Sequence, residues 1–220
     1  MRLYLVRHGE NPANVHHILS YRKADFRLTA HGVGQAEGMG RLLRALPGVG
    51  DAAWWSSPLR RARHTAELLA PPGTAVRVVE ALRELDVGDL DGSGRPDARA
   101  AYDRVIGAWR AGSARTGFPG GESHTEATAR LAGALRAVVS EPGAGAAVVV
   151  GHGGLFTEGL RALLGPGDRG RFDRASEPRW LNCEAAEVSA CALPGGQLEL
   201  AFAAWHSTSR TPPRGLVREP

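Results

Sequence analysis

Two apolar runs in this chain each end abruptly at a histidine that glycine follows. Residues 3–6 lead directly into Arg7-His8-Gly9, and residues 146–150 lead into Gly151-His152-Gly153-Gly154. A short apolar run that stops at glycine is typical of a buried strand that feeds a loop. The sequence therefore predicts two buried strands, each of which presents an imidazole at its carboxyl end.

Helical patterns alternate with strand patterns along the rest of the chain. Thr29 is a candidate N-cap, Pro58 suits the first turn of a helix, and Ser123 with Glu126 has capping-box spacing. Helices are predicted over residues 32–46, 58–69, 98–110, 124–140 and 153–164, and further strands over 52–56 and 76–79. Two strands near the end, joined across Pro194-Gly195-Gly196, suggest a hairpin.

This alternation predicts the fold class. Strands that alternate with helices form a three-layer α/β fold, here with a mainly parallel sheet, helices on both faces and an antiparallel C-terminal hairpin. The length of 220 residues suits one domain, which we place at residues 1–205 with a small cap at about 93–121. Residues 206–220 are rich in Ser, Thr, Pro and Arg and are expected to form a flexible tail.

Four chemically useful residues are expected at one edge of this sheet. Parallel α/β sheets bind ligands beyond the carboxyl ends of their strands, where His8 and His152 both stand. Arg61 follows the second predicted strand, and Glu84 follows the third. Spacing alone does not choose between Arg60, Arg61 and Arg63. The convergence predicts a single site.

These residue types suit phosphoryl chemistry. A phosphomonoester carries close to two negative charges, which Arg7 and Arg61 can bind through fork-like contacts. One neutral imidazole can attack phosphorus, while a second imidazole, if protonated, can neutralise charge on the equatorial oxygens. A carboxylic acid must then protonate the departing alkoxide, and Glu84 is the natural candidate.

Six ordered segments carry a more specific signal. They are Leu5-Val6-Arg7-His8-Gly9-Glu10-Asn11, Leu28-Thr29 with Gly32 and Gln35-Ala36, Ser56-Ser57-Pro58-Leu59-Arg60-Arg61-Ala62 with Thr65-Ala66, Leu82-Arg83-Glu84 with Gly88 and Gly92, Pro119-Gly120-Gly121-Glu122-Ser123, and Val150-Gly151-His152-Gly153-Gly154. Together they resemble the histidine phosphatase superfamily, also called the phosphoglycerate-mutase-like family. An Arg-His-Gly triplet alone recurs by chance, whereas six segments in family order do not.

The resemblance implies roles for individual residues. It implies a nucleophilic His8, a phosphate pocket of Arg7, Arg61 and His152, and Glu84 as the proton donor. It also places further residues beside the substrate, namely Asn14, Ser20, Tyr21, Gly153 and Glu122. For the last of these, an alternative is that its carboxylate stabilises the N-terminus of the following helix.

Composition disfavours several classes of partner. The net charge is +4, and nearly all the basic residues are arginine because Lys23 is the only lysine. No arginine-rich block or aromatic stripe appears, so we expect no nucleic-acid partner and favour small anionic substrates. No apolar run approaches transmembrane length, which predicts no membrane partner. Without HxH or HExxH spacing we expect no metal, and no cofactor is implied.

The two cysteines bear on the cellular compartment. Cys183 and Cys191 are expected in one strand, where eight residues span roughly 26 Å, too far for a disulfide. Residues 1–6 are too short for the apolar region of a signal peptide. We therefore expect a cytoplasmic protein. A homodimer is left open.

The leading hypothesis is a metal-independent phosphomonoesterase that acts through a phosphohistidine on a small phosphorylated metabolite. The nearest alternative is a phosphoglycerate-type phosphomutase. Glycolytic mutases of the family usually have a tyrosine shortly after the acid and a longer insertion, whereas Leu85-Asp86-Val87 stands here. A non-catalytic phosphate-binding module is another alternative, but it would not need an acid such as Glu84.

Overall fold

The computed structural model describes residues 1–177 and 179–209, and these residues form one sheet of six strands. The strands are β1 (Arg2–Arg7), β2 (Ala53–Ser56), β3 (Val76–Val78), β4 (Ala146–Gly151), β5 (Ala185–Ala192) and β6 (Leu198–His206). Their order across the sheet is β3-β2-β4-β1-β5-β6. The first four strands are parallel, and β5 and β6 are the antiparallel hairpin that the sequence predicts.

Helices cover both faces of the sheet. They are α1 (Pro12–Val15), α2 (Ala30–Arg44), α3 (Arg60–Leu69), α4 (Pro96–Arg110), α5 (His124–Val139), α6 (Gly153–Leu163) and α7 (Pro166–Ser176). Two 3-10 turns, Glu80–Leu82 and Gly88–Leu90, interrupt the loop between β3 and α4. The predicted α/β class is confirmed.

The side chains of β1 alternate between two cores. Leu3 and Leu5 pack into the core that α4, α5, α6 and α7 cover. Tyr4 and Val6 pack into the opposite core, beneath α2 and α3. This period of two is the reason for the layering, because successive strand side chains point to opposite faces and each face needs its own helices.

Side chains predicted to cap helices do so. Thr29 Oγ1 accepts a hydrogen bond from the Gly32 N–H at 3.0 Å and begins α2. Ser123 and Glu126 form a reciprocal capping box that begins α5. Such caps satisfy amide groups that have no partner inside the helix, which fixes where each helix begins.

Three details differ from the sequence-based expectations. Helix α3 begins at Arg60, so Pro58 precedes the helix and is not in its first turn. The Arg60 N–H, which has no partner inside the helix, donates to the Asp25 carboxylate at 2.9 Å. Cys183 lies before β5, in a left-handed conformation with φ of 54°. His206, which was expected to begin the tail, is the last residue of β6 and pairs with Ala185 across the hairpin. Most of the expected tail, residues 210–220, lies outside the described residues.

Strand register positions the site. Arg7 of β1 pairs with Gly151 of β4, so the next residues, His8 and His152, are neighbours across the sheet edge. Ser56 of β2 pairs with Val150 of β4, which brings Ser57 beside His152. Adjacent parallel strands that end together therefore place three polar side chains at one edge.

Candidate active site

A cavity of about 640 Å³ opens at the carboxyl ends of the parallel strands. Most of the residues singled out in the sequence line it: Arg7, His8, Asn14, Ser20, Arg61, Glu84 and Gly153. His152 lies directly behind His8, fully buried and outside the lining, with ring centroids 5.2 Å apart. Tyr21 and Glu122 do not line the cavity.

His8 is held as a neutral imidazole. Its Nδ1 lies 2.7 Å from the Gly9 carbonyl oxygen, which can only accept, so Nδ1 carries the hydrogen. Its Nε2 therefore has the lone pair and accepts from Arg61 Nε at 3.1 Å. Burial, with the charges of Arg61 and Arg7, holds the His8 pKa well below its usual value. Nε2 is therefore the ring atom whose lone pair is suited to nucleophilic attack.

Arg61 is the arginine of its segment that reaches the site. Its guanidinium is buried and donates to His8 Nε2, to Ser20 Oγ at 2.9 Å and to the Ser20 carbonyl at 2.7 Å. Arg60 and Arg63 are exposed. Burial lowers the pKa of Arg61 to about 10, which still leaves it charged at neutral pH. A buried cation with three aimed donors is suited to a phosphoryl dianion.

Arg7 supplies a second cation. One of its Nη atoms donates to the Trp180 carbonyl, whereas its buried Nε has no hydrogen-bond partner among the described residues. The side chain lies against Gly153, where a Cβ would come within 3.1 Å of Arg7 Cδ. Glycine at 153 therefore leaves room for the arginine. An unpaired buried donor beside the cavity is a natural contact for a phosphoryl oxygen.

His152 completes a buried imidazole pair. Its Nε2 lies 2.7 Å from Ser57 Oγ, and its Nδ1 is buried without a partner in the described part of the chain. Burial, followed by the charge of Arg61, lowers the His152 pKa well below its usual value. The ring is therefore neutral while no anion is bound. A dianion in the cavity would favour its protonated form, because opposite charges nearby raise a histidine pKa.

Glu84 faces the histidines from the loop after β3. Its Oε1 accepts from the backbone N–H groups of Leu85 at 2.8 Å and Leu155 at 2.7 Å, and its Oε2 accepts from Gly154 at 3.0 Å. Two of these donors belong to the first turn of α6, where the helix dipole favours a negative group. Oε2 has an acceptor position left that can carry a proton.

Glycine at 154 allows this contact. A Cβ on Gly154 would lie 2.7 Å from Glu84 Oε1, inside van der Waals distance. The Gly153-Gly154 pair therefore serves two neighbours, Arg7 on one side and Glu84 on the other. The glycine pair in the sequence is explained by close approach of two site residues.

Two residues that the sequence did not single out organise the histidine end. Asn182 Nδ2 donates to the His8 carbonyl at 2.8 Å and to Asn14 Oδ1 at 3.1 Å. Ser57 pairs with His152. Ser57 belongs to the segment around Arg61 that resembles the family, so its place in that segment could have indicated a role at the site. Asn182 lies 174 residues from His8, and no local pattern marks it.

Two predicted site residues have other contacts. The backbone N–H of Tyr21, with those of Arg22 and Lys23, donates to the Asp91 carboxylate at 2.8 to 2.9 Å. This wrapping fixes the loop that carries Ser20, and it places Tyr21 outside the cavity lining. Glu122 pairs with Arg130 at 2.6 Å and accepts from the Asp86 N–H at 2.9 Å, so its contacts are with the protein itself.

The outer part of the cavity has a wall from the segment predicted as a cap. Helix α4 contributes Arg99, Tyr102, Asp103, Ile106 and Arg110. Their spacing of three or four residues is that of one helix face, which the sequence could have revealed. Trp109 and Phe118, from the same segment, are buried in the core and do not line the cavity.

The described residues contain neither a helix suited to crossing a membrane nor a cluster of metal-ligating side chains. No helix within residues 1–177 and 179–209 is long and apolar enough to cross a membrane. The same residues contain no group of three or more His, Cys, Asp or Glu side chains placed to hold a metal ion. Both described cysteines are free, with Cys183 buried and Cys191 exposed.

Comparison with known proteins places this geometry in a family. Residues 3–189 match the histidine phosphatase superfamily (branch 1). A 2,3-bisphosphoglycerate-dependent phosphoglycerate mutase from Bradyrhizobium sp. (strain ORS 278) is 39% identical over 133 residues, which cover 58% of this chain and 63% of the mutase. A mutase of the same name from Methylobacterium sp. (strain 4-46) is 35% identical over 169 residues, covering 74% of this chain and 78% of that protein.

A solved structure is similar over a larger share of the chain. A mycobacterial glucosyl-3-phosphoglycerate phosphatase, in complex with VO3, has a TM-score of 0.74 and 28% identity, covering 94% of this chain and 99% of the other. The match to the Bradyrhizobium mutase spans less than two thirds of that mutase. The sequence motifs, the sheet and the family match agree, and the chain belongs to the histidine phosphatase superfamily.

Proposed function

We propose that this protein is a metal-independent phosphomonoesterase that acts on a small phosphorylated metabolite through a phosphohistidine on His8. The observation that carries the proposal is the neutral His8 ring, whose Nε2 lone pair lies beside the Arg61 guanidinium in the cavity that Glu84 also lines. A nucleophile, fixed cations and a proton donor in one cavity are what hydrolysis through a covalent intermediate requires.

The first step transfers the phosphoryl group to the enzyme. His8 Nε2 attacks phosphorus, the bond from phosphorus to the ester oxygen breaks, and protonated Glu84 gives its proton to the departing alcohol. Arg7 and Arg61 bind the equatorial oxygens. In the bound state, a protonated His152 neutralises further negative charge as it develops.

The second step regenerates the enzyme. Glu84, now a carboxylate, takes a proton from a water molecule whose oxygen attacks phosphorus. The bond between phosphorus and His8 Nε2 breaks, inorganic phosphate leaves, and His8 returns to its neutral form. Glu84 is again protonated, so protons and charge balance over the cycle.

His8→Ala tests the proposal directly. We expect turnover of p-nitrophenyl phosphate to fall by about 10³-fold or more, because no other described imidazole lines the cavity. Wild-type enzyme quenched during turnover should carry an acid-labile, alkali-stable phosphoryl group that the variant lacks. Turnover should also survive EDTA. Substantial turnover by folded His8→Ala, or loss on chelation with recovery on adding metal, would contradict the mechanism.

A phosphomutase is the second candidate, because the curated relatives at 35% and 39% identity carry that name. A mutase would use the same phosphohistidine but return the group to a reoriented substrate. The short Leu85-Asp86-Val87 segment after the acid favours the phosphatase. Incubation with 3-phosphoglycerate and 2,3-bisphosphoglycerate separates the two: a mutase forms 2-phosphoglycerate faster than inorganic phosphate, whereas a phosphatase releases phosphate.

Other parts of the proposal rest on the sequence. A cytoplasmic location and a cap at about residues 93–121 stay predictions, and whether the protein forms a homodimer is open. A non-catalytic phosphate-binding module would bind inorganic phosphate with no turnover of any ester. A screen of phosphorylated metabolites, with phosphate release as the measurement, distinguishes that module from the phosphatase.

A further inference from the structure

The cavity extends well beyond the phosphate end, and α6 forms one of its walls. Gly154, Glu158 and Arg161 all line it, at spacings of four and three residues that place them on one helix face. At 1.5 Å of rise per residue, Glu158 lies about 6 Å and Arg161 about 10 Å along the helix from Gly154. The Gly154 N–H donates to Glu84, the proposed acid at the ester oxygen of the substrate. The part of α6 beyond Gly154 should therefore face the organic group on the other side of that oxygen.

The charges on this outer cavity cancel in pairs. We define the outer cavity by three arginine–carboxylate pairs that all line it: Arg99–Asp103, Arg110–Glu158 and Arg161–Asp173. Arg179 and Glu177 add one charge of each sign. The outer cavity therefore has no net charge, whereas the phosphate end has two cations, Arg7 and Arg61, with Glu84 in the cavity lining and Asp25 Oδ1 at 3.8 Å from Arg61 Nη1.

Glu158 is the best-fixed charge among these pairs. Its side chain is 4% exposed, whereas that of Arg110 is 50% exposed. Arg110 places Nη2 at 2.6 Å and Nε at 3.2 Å from Glu158 Oε1, so two donors of its fork are already engaged. A second anionic group on a substrate would meet a buried carboxylate and an occupied guanidinium.

Hydroxyl groups suit such a surface better than anions do. A hydroxyl can donate to a carboxylate and accept from a guanidinium, so it bonds to either member of a pair. Tyr102 and Ile106 also line the outer cavity and offer apolar surface to the C–H groups of a carbon chain or ring. The mixture of paired charges and apolar surface is suited to a polyhydroxylated ligand.

We propose that the preferred substrate is a phosphomonoester whose organic part is uncharged and hydroxyl-bearing, such as a polyol or sugar. This inference rests on the proposed phosphatase function. It disfavours substrates whose organic part carries a second phosphate or a carboxylate, because the outer cavity has no net positive charge to compensate the lost hydration of that group.

A matched pair of six-carbon substrates tests the inference. Sorbitol 6-phosphate and 6-phosphogluconate differ in a terminal hydroxymethyl group against a carboxylate. We expect kcat/KM to be about tenfold higher for sorbitol 6-phosphate, because the carboxylate would lose hydration in a cavity that has no net positive charge to compensate it. Glu158→Gln, which leaves Arg110 without its counterion, should lower that ratio about fivefold.

Two further variants complete the experiment. Asp97→Asn is the matched control, because Asp97 pairs with Arg95 near the start of α4 but does not line the cavity, so the ratio should not change. Asp173→Asn repeats the test at a more exposed carboxylate, should Glu158→Gln fail to fold. Equal or better use of 6-phosphogluconate by wild type, or an unchanged ratio in every folded variant of Glu158 and Asp173, overturns the inference.

The results can distinguish a wrong substrate class from a wrong assignment as a phosphatase. Hydrolysis of p-nitrophenyl phosphate without turnover of either six-carbon ester contradicts the substrate class and leaves the phosphatase standing. A wild-type protein that hydrolyses none of the three esters rejects both.

Discussion

At the scale of single residues, the two buried imidazoles are the feature on which the chemistry depends. The carbonyl of Gly9 accepts from His8 Nδ1 and so fixes the hydrogen on that nitrogen. Arg61 Nε donates a hydrogen bond to the other ring nitrogen, Nε2. A phosphoryl group that enters can take over the Arg61 donors, which frees Nε2 to attack. In the proposed mechanism, the same guanidinium first helps to keep His8 neutral and then binds the phosphoryl group.

Glu84→Gln tests the role of the acid. An amide cannot protonate a leaving group, so transfer from an alkyl phosphate to His8 should slow by about 10² to 10³-fold. A nitrophenolate leaves without a proton, so the burst of nitrophenol should slow less than about tenfold. The measurement is pre-steady-state, because the proposed mechanism also gives Glu84 a role in dephosphorylation. Equal slowing of both transfers would leave Glu84 as a positioning residue only.

Glu84→Gln should also be less stable than the wild-type protein, and Glu80→Gln is a suitable control for it. The amide nitrogen of a glutamine cannot accept the hydrogen bonds that the carboxylate accepts, so about 1 kcal/mol of unfolding free energy should be lost. Glu80→Gln, at an exposed carboxylate that pairs with Arg83 in the same loop, should leave both transfer steps unchanged. A slowed transfer in Glu80→Gln would indicate that the loop itself had moved.

At the scale of elements, α5 holds the acid loop through one arginine. Arg130 donates to the carbonyls of Ala81 and Arg83 at 2.8 Å and of Glu84 at 3.2 Å, and it pairs with Glu122. A planar fork with five donors can span three carbonyls and a carboxylate, which an ammonium cannot do. Arg130 and Glu122 therefore position Glu84 from behind, without touching the cavity.

Arg130→Met should thus act on the acid step more than on the nucleophile. We expect transfer from an alkyl phosphate to slow by about tenfold while the nitrophenol burst changes less than about twofold, the same selectivity as Glu84→Gln. Both are measured well below the unfolding temperature, because lost hydrogen bonds also reduce stability. Arg136→Met, in the last turn of the same helix, is the control. Parallel loss of both steps would indicate general damage.

The elements also explain what the sequence can predict. Strand ends are local patterns, and they predicted that His8, His152 and Glu84 would lie near one edge of the sheet, whereas the choice of Arg61 over Arg60 and Arg63 came from the family resemblance. Asn182 and Arg130 act across 174 and 46 residues of chain, so only the packed helices and strands bring them to their partners. The backbone contact between Tyr21 and Asp91 is equally distant in the chain, at 70 residues, and no local pattern predicts it.

At the scale of the whole molecule, the buried histidines link stability to pH. Unfolded histidines titrate near 6.5, whereas burial and neighbouring arginines hold the pKa of His8 and His152 well below that value in the folded protein. Below pH 6.5 the unfolded chain binds protons that the folded protein does not. The stability contributed by these residues is therefore fully present above pH 6.5 and declines as pH falls.

His8→Asn should reveal that contribution. Each histidine kept neutral costs about 1.4 kcal/mol of unfolding free energy for every pH unit below 6.5, until its folded pKa is reached. Urea unfolding of wild type and His8→Asn at pH 7.5, 6.5 and 5.5 should give slopes that differ by about that amount below 6.5, with wild type the steeper. His31→Asn, at an exposed site, should follow wild type. Parallel curves for wild type and His8→Asn would mean that His8 accepts a proton in the folded protein as readily as in the unfolded chain, and the neutral nucleophile would have to be abandoned.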